Sequence, residues 1–330
     1  MISLTRVKQW FLPVALLILA LVLGLGYGPV DLSWRQLLTS IEAPGLPTTS
    51  NVIIWDIRLP RLIAAALVGG SLALAGAIMQ ALFKNPLADP YIIGASSGAG
   101  FGAVMVSLLW PASQALSLGA FLGSLGAVFA AYFLAQGQGR VHMLTLILIG
   151  YALSLVLGAF TTFAMLADRQ TMSQIFAWEL GGIHGIGWHH LVWPSVIMTG
   201  SAILVFATAP ELNAYYLGEE QAHYLGVNVV FTQSWLLILA SLLTAMAVYL
   251  AGLIGFVGLV IPHIVRRLYG SDHTAMLPLV FFIGAVFLVG ADIIAEHVPS
   301  VGTVPLGLVS AAIGGPYFIY LLIHTRAVNS

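Results

Sequence analysis

The chain has 330 residues, 60% hydrophobic and only 7% charged, with a net charge of −1 and a mean hydropathy of +1.00. A soluble domain carries about 25% charged residues to meet water, so this composition excludes an ordinary water-facing globule and points to lipid as the solvent. The near-zero charge offers no electrostatic footprint for nucleic acid, and the absence of cysteine excludes disulfides, thiolate metal sites and a cysteine nucleophile.

The charges divide the chain. Charge-free runs occupy 9–30, 62–83, 90–139, 141–167, 180–210, 221–265, 273–291 and 297–325, and a helix needs about 20 apolar residues to cross a bilayer. The first run predicts a span near 10–28. It is long and lacks a small-x-small cleavage site before the next loop, so it reads as a retained span and not a signal peptide. The 29–58 loop, with Pro44, Pro47 and the run Thr48-Thr49-Ser50-Asn51, reads as an outer cap. A second span is expected near 61–83. The run 90–139 is long enough for two spans, near 91–109 and 114–135, with a turn at Trp110-Pro111. Single spans follow near 142–166 and 190–209. The run 221–265 again holds two, near 230–251 and 254–268, with a turn from Gly252 to Gly255, and the last two lie near 275–295 and 304–323.

Ten spans put both termini on one side. With Met1 cytoplasmic, the inner loops and ends carry Arg6, Lys8, Lys84, Arg140, Arg266, Arg267 and Arg326, and the outer side carries Arg35, Arg58, Arg61 and Arg169. Seven against four favours cytoplasmic termini by the positive-inside rule. The whole chain, 1–330, then reads as one all-α integral membrane domain surrounded by lipid.

In the polar stretch 210–229, Gly218, Ala222 and Gly226 recur every four residues, which would line one helical face with small side chains. That face suits either packing within the chain or docking of a cytoplasmic partner. Leu74-Ala75-Gly76-Ala77-Ile78 is weakly echoed by Leu250-Ala251-Gly252-Leu253-Ile254, on spans of opposite direction as an inverted repeat requires. His184, His189 and His190 cluster near Trp178, Trp188 and Trp193; interfacial belt residues and cargo or metal ligands are both open, with the belt favoured.

Signatures such as the zinc-binding His-Glu-x-x-His or the phosphate-cradling Gly-x-x-x-x-Gly-Lys-Ser/Thr are missing from the sequence. Asp292 is the one acid expected within a span, whereas an ion-coupled transporter keeps ionisable groups in the membrane. The chain therefore reads as a transporter whose motor is a separate protein, with no cofactor of its own; an ion-coupled secondary transporter is the alternative.

Several ordered motifs carry a resemblance. They are Arg58-Leu59-Pro60-Arg61; Gly76-Ala77-Ile78-Met79-Gln80-Ala81-Leu82-Phe83-Lys84-Asn85-Pro86-Leu87-Ala88-Asp89-Pro90; Gly94-Ala95-Ser96-Ser97-Gly98-Ala99; Leu217-Gly218 through Leu225-Gly226; and Gly255-Phe256-Val257-Gly258-Leu259-Val260-Ile261-Pro262-His263. Together they resemble the permease family of iron-siderophore, haem and vitamin B12 ATP-binding-cassette importers. The resemblance implies a type II importer permease fold of ten helices, working as a homodimer in the bacterial inner membrane. It also implies two cytoplasmic ATPase subunits, an external substrate-binding protein, and a metal chelate such as an iron-siderophore, haem or cobalamin as cargo.

Residue roles follow from the same resemblance. It implies that the 211–227 segment couples to the ATPase through Leu217, Gly218, Glu219, Ala222, Leu225 and Gly226. Asn85, Pro86 and Leu87, with Ser96 and Ser97, are implied at a gate or pathway; a rigid turn capped by Asn and Asp is the plainer reading of 85–90. Gly94, Gly98, Gly100 and Gly102 suit close helix packing, and His263 suits a structural hydrogen bond more than ligation. Arg58 and Arg61 are implied to receive acidic residues of the binding protein, with headgroup anchoring as the alternative. Vitamin B12 permeases have an arginine at the position of Glu296, so the acid there puts a third basic docking contact in doubt.

Overall fold

A computed structural model describes residues 4–110, 115–137, 140–167, 169–297 and 304–326. The chain begins with α1 (Leu4–Gly26) and then forms α2 (Trp34–Glu42) and α3 (Thr49–Asn51). Ser33 and Gln36 close a capping box on α2, and Thr48 caps α3. A π-helical turn, Val52–Arg58, leads into α4 (Leu59–Leu82), with Pro60 in the first turn where its missing N–H costs nothing. Next come α5 (Ala95–Leu109), α6 (Ala115–Ala135), α7 (Met143–Ala167) and α8 (Arg169–Glu179). The only strand pairing among the described residues is a two-residue ribbon, Gln136–Gly137 with Arg140–Val141. The remainder is α9 (Trp188–Ala207), α10 (Ala209–Leu217), α11 (Glu219–Tyr224), α12 (Val229–Ala251), α13 (Val257–Tyr269), α14 (His273–His297) and α15 (Leu306–Arg326).

Each of the ten expected spans falls on one of these helices. Six are long and apolar enough to cross a bilayer, and 10–26, 95–109 and 306–321 are shorter apolar stretches. The eighth expected span, α13, has 13 residues, short of a full crossing. Its turn from α12 lies where the glycines suggested. Gly252, at φ +66°, ends α12, and Gly182 N–H donates to the Ala251 carbonyl at 2.8 Å. The sequence echo does not become a structural one, because Gly76 lies mid-helix while Gly252 is a terminator.

The core is built around α4, whose apolar window is 83% buried. Lipid supplies no hydrophobic drive between helices, so close packing has to hold them together. Gly76 of α4 meets the Gly258 backbone of α13, and a methyl group there would overlap it. Gly98 and Gly102 of α5 cross Gly123 and Gly119 of α6 in the same manner, confirming packing as the role of those two positions. By contrast, α7 is 11% buried and presents Leu148, Leu155 and Phe163 outward.

Candidate functional site

The functional residues fall at the two ends of α4. At the α2–α3 end, the π-turn swings Arg58 inward. Its side chain is 7% exposed, with Nη1 donating to the carbonyls of Leu25 at 2.7 Å and Gly26 at 3.2 Å, and Nη2 to that of Val30. Leu25 and Gly26 end α1, where carbonyls lack helical partners and the dipole favours a cation. Arg61 forms a fork on Asp292 of α14, Nε to Oδ2 at 2.9 Å and Nη2 to Oδ1 at 2.8 Å, and its Nη1 meets Glu296. Asp292 is buried, so this bidentate pair replaces its lost hydration. Two arginines expected to face a partner are thus held within the chain here, around a crevice of about 200 Å³ lined in part by Gly24, Ile57 and Glu296.

His184 lies in the loop beside this cluster; burial and then the Arg61 charge hold its imidazole below the ordinary range. His189 and His190 pack edge to face at 5.1 Å, and among the described residues no three His, Asp or Glu side chains converge on a metal-sized site.

Glu179 is an acid that no motif in the sequence singled out. It ends α8, which folds back beside α5 and α7, so that the Glu179 carboxylate lies against Gly100 near Thr161. Apolar flanks gave no warning of this acid, because the α8 sequence has no periodicity that separates a re-entrant helix from a surface one.

At the other end, Lys84 at φ +48° turns the chain out of α4. Asn85 Oδ1 accepts from Leu87 N–H at 2.9 Å, and Asp89 Oδ1 from Tyr91 N–H at 2.8 Å, two Asx turns that fix the Asn-Pro-Leu-Ala-Asp-Pro stretch. Burial pushes the Asp89 carboxyl up to about 6 and raises the Tyr91 phenol as well. Pro86 and Leu87 face Leu259, His263 and Tyr317 across a narrow cleft. Ser96 and Ser97 are half-buried on the first turn of α5. Gln80 ties α4 to α13, donating to the Leu259 carbonyl at 3.1 Å and accepting from Arg266 at 3.1 Å.

The 211–227 segment is two helices and not one. Gly218, at φ +135°, breaks α10 from α11, and Gly226, at φ +82°, turns the chain toward α12. The four-residue spacing therefore marks hinge points, where a side chain would be strained, instead of one small-residue face. Ala222 packs inward, at 0% exposure, as do Leu212 and Tyr215, while Leu217, Tyr224 and Leu225 are 66%, 80% and 64% exposed. Tyr224, which the spacing argument passed over, is the most exposed of the three. Glu219, Glu220 and His223 border a recess of about 790 Å³ shared with Val141, His142 and Met143.

A multi-helix bundle with a charged latch at one end and an exposed apolar knuckle at the other defines a membrane permease. The FecCD transport family model matches residues 16–324, and the chain belongs to that family. It is 43% identical over 297 residues to the cobalamin import system permease protein BtuC of Halobacterium salinarum, covering 88% of this chain and 79% of that one. It is 38% identical over 329 residues to the hemin transport system permease protein HmuU of Yersinia pestis, covering 96% of each. Among solved structures, a metal-chelate type ABC transporter in an inward-facing conformation matches with a TM-score of 0.86 at 29% identity, covering 96% of this chain and 99% of that one. The chain is thus a transport permease of the ATP-binding-cassette importer class and not an enzyme, and its family implies ATPase and substrate-binding partners.

Proposed function

We propose that two copies of this permease form a pathway that carries a metal chelate or corrinoid (siderophore iron, haem or cobalamin) into the cytoplasm of a bacterium. Two cytoplasmic ATPase subunits would bind α10 and α11, and an external protein would deliver cargo at the α2–α3 end, with both termini cytoplasmic. The names of the relatives support this cargo class, and the sparsely buried face of α7 supports a second copy against it.

The observation that carries the motor reading is the knuckle of Leu217, Tyr224 and Leu225, apolar side chains held out into solvent by glycine breaks. A water-facing turn has no use for three such side chains unless a partner covers them. Leu217→Asp with Leu225→Asp should abolish co-purification of the ATPase without lowering permease yield; undiminished co-purification would overturn the reading. In sealed vesicles, uptake should follow ATP supplied on the motor side and survive collapse of ion gradients, which an ion-coupled transporter would not.

At the mouth, the rigid Asn85 and Leu87 turn supports a gate. Asn85→Ala with Leu87→Ala should raise ATP hydrolysed per cargo imported while leaving assembly intact; an unchanged ratio returns the stretch to a structural turn. At the outer end, an acidic group of the delivery protein would compete with Glu296 for Arg61. Glu296→Gln should then strengthen association and reversal of Arg61 should weaken it, most clearly at low salt.

A further inference from the structure

We infer that the Tyr215 hydroxyl is a strut that transmits movement of the coupling helices to the cytoplasmic mouth, an inference that rests on the motor reading above. Tyr215 belongs to α10 and is 1% exposed. Its hydroxyl donates to the Leu82 carbonyl at 3.2 Å, at the last residue of α4 and directly before the 83–90 turn. Gln233 of α12 donates to the same hydroxyl at 3.0 Å and to Glu219 of α11 at 3.2 Å. Lys84 lies over the Tyr215 ring, 5.3 Å from its centroid. One buried side chain therefore joins α10, α11 and α12 to the end of α4 and to the first residue of the mouth.

The chemistry explains why a tyrosine stands there. The Leu82 carbonyl lies in the last turn of α4 and has no helical partner, so a buried phenol satisfies it without adding charge. Gln233 supplies the donor that fills the phenol's acceptor side, and the hydroxyl's shorter bond is to Leu82, with Glu219 Oε1 a longer second acceptor at 3.5 Å. Burial raises the Tyr215 phenol above its ordinary range, so it stays protonated and donating across the physiological range. On the opposite flank of α10, Asn213 Nδ2 donates to Asp272 at 2.8 Å and Asn213 Oδ1 accepts from His273 N–H at 2.8 Å. Pinned on both flanks, α10 moves as a body with the ends of α4 and α14. Displacement of α10 then reaches the mouth through Tyr215, and α11 is joined to it across the Gly218 break by the Gln233–Glu219 bond.

The test uses the full transporter in vesicles, with haemin and cyanocobalamin each offered as cargo. Tyr215→Phe keeps the ring and removes the strut. ATPase co-purification and ATP hydrolysis should persist while cargo imported per ATP falls about fivefold, the factor that loss of one ordinary hydrogen bond applies to an equilibrium. An unchanged ratio overturns the strut. Because the native chain has no cysteine, spin labels on Glu220→Cys and Leu87→Cys give a second readout that needs neither cargo nor the Phe variant. With Tyr215 present, the label separation should stay constant between nucleotide-free and ATP-bound complexes. A within-subunit separation, read from complexes in which only one copy carries the labels, that changes with nucleotide overturns the proposal even if the Phe variant fails to assemble. Failure of the motor reading shows differently, as ATPase retained by the Leu217→Asp/Leu225→Asp permease.

Discussion

The two ends of α4 are fastened by opposite chemistry. At the α2–α3 end Arg61 grips Asp292 and Glu296 through full charges, and Arg58 caps α1 with another. At the other end Tyr215, Gln233 and the Leu82 carbonyl join through neutral hydrogen bonds, with charge only at the periphery. Charged fastenings answer to other charges: a partner's carboxylate can compete for Arg61, whose side chain is 18% exposed. Neutral buried ones depend on them less, although Glu219 borders this network. A receiving end and a transmitting end would differ in this way.

The largest effect should come from breaking the charged end. Arg61→Met leaves Asp292 buried without its partner, and loss of one member of a buried pair costs roughly 3–5 kcal/mol. Thermal unfolding in micelles should show it, and Asp292→Asn in the same background should recover part of the loss. Arg58→Met comes next. It strips the α1 carbonyls of a charged donor, at about 1.5–3 kcal/mol for one such bond, and the loss should be insensitive to salt because the site is buried. Hydrogen exchange at the end of α1 should rise in step. Arg61 and Arg58 behaving alike in salt and in rescue would erase the distinction between a latch and a cap.

Glu296→Gln should have a smaller effect than either arginine variant, since Asp292 already holds two bonds to Arg61 and the Glu296 side chain is only partly buried. The smallest effect tests the transmitting end. Asp89 titrates at about 6 in the folded chain, raised by burial. A carboxyl raised on folding contributes stability that is full below its unfolded value of about 4 and lost as pH rises through about 6. The native permease should therefore unfold a few degrees higher at pH 5 than at pH 7.5, and Asp89→Asn should flatten that slope. A slope unchanged in the Asn variant would assign the pH dependence to another group.

Much of this architecture could be read from charge spacing, because lipid forbids charges along a span and so writes the helix ends into the sequence. The same rule concealed what happens between helices. Arg58 looked like an outward contact because it sits at a span end, and only the π-turn, which has no compositional signature, shows why it points back at α1. The glycines of 218–226 were visible as a period but not as hinges, since a spacing of four carries no record of φ. Tyr215 drew no notice because a tyrosine near an interface is the commonest of belt residues; its partners are 133 positions away at Leu82 and 18 at Gln233, beyond the reach of local pattern.

The π-helical turn Val52–Arg58 has a consequence for how this chain can vary in length. A π-turn is an α-helix holding one residue too many. Removing a single residue between Val52 and Ile57 would let the stretch relax to ordinary winding and run continuously into α4. The surplus residue is what the wider turn takes up, so the segments on either side would keep nearly the same phase. Asn51 and the Ala43 and Leu46 carbonyls it holds at 2.8 and 2.7 Å all precede the turn and would stay together as one piece. A one-residue deletion that would swing the far side of an ordinary α-helix by about 100° is here taken up by a change of winding, so this segment should tolerate it better than the helices around it.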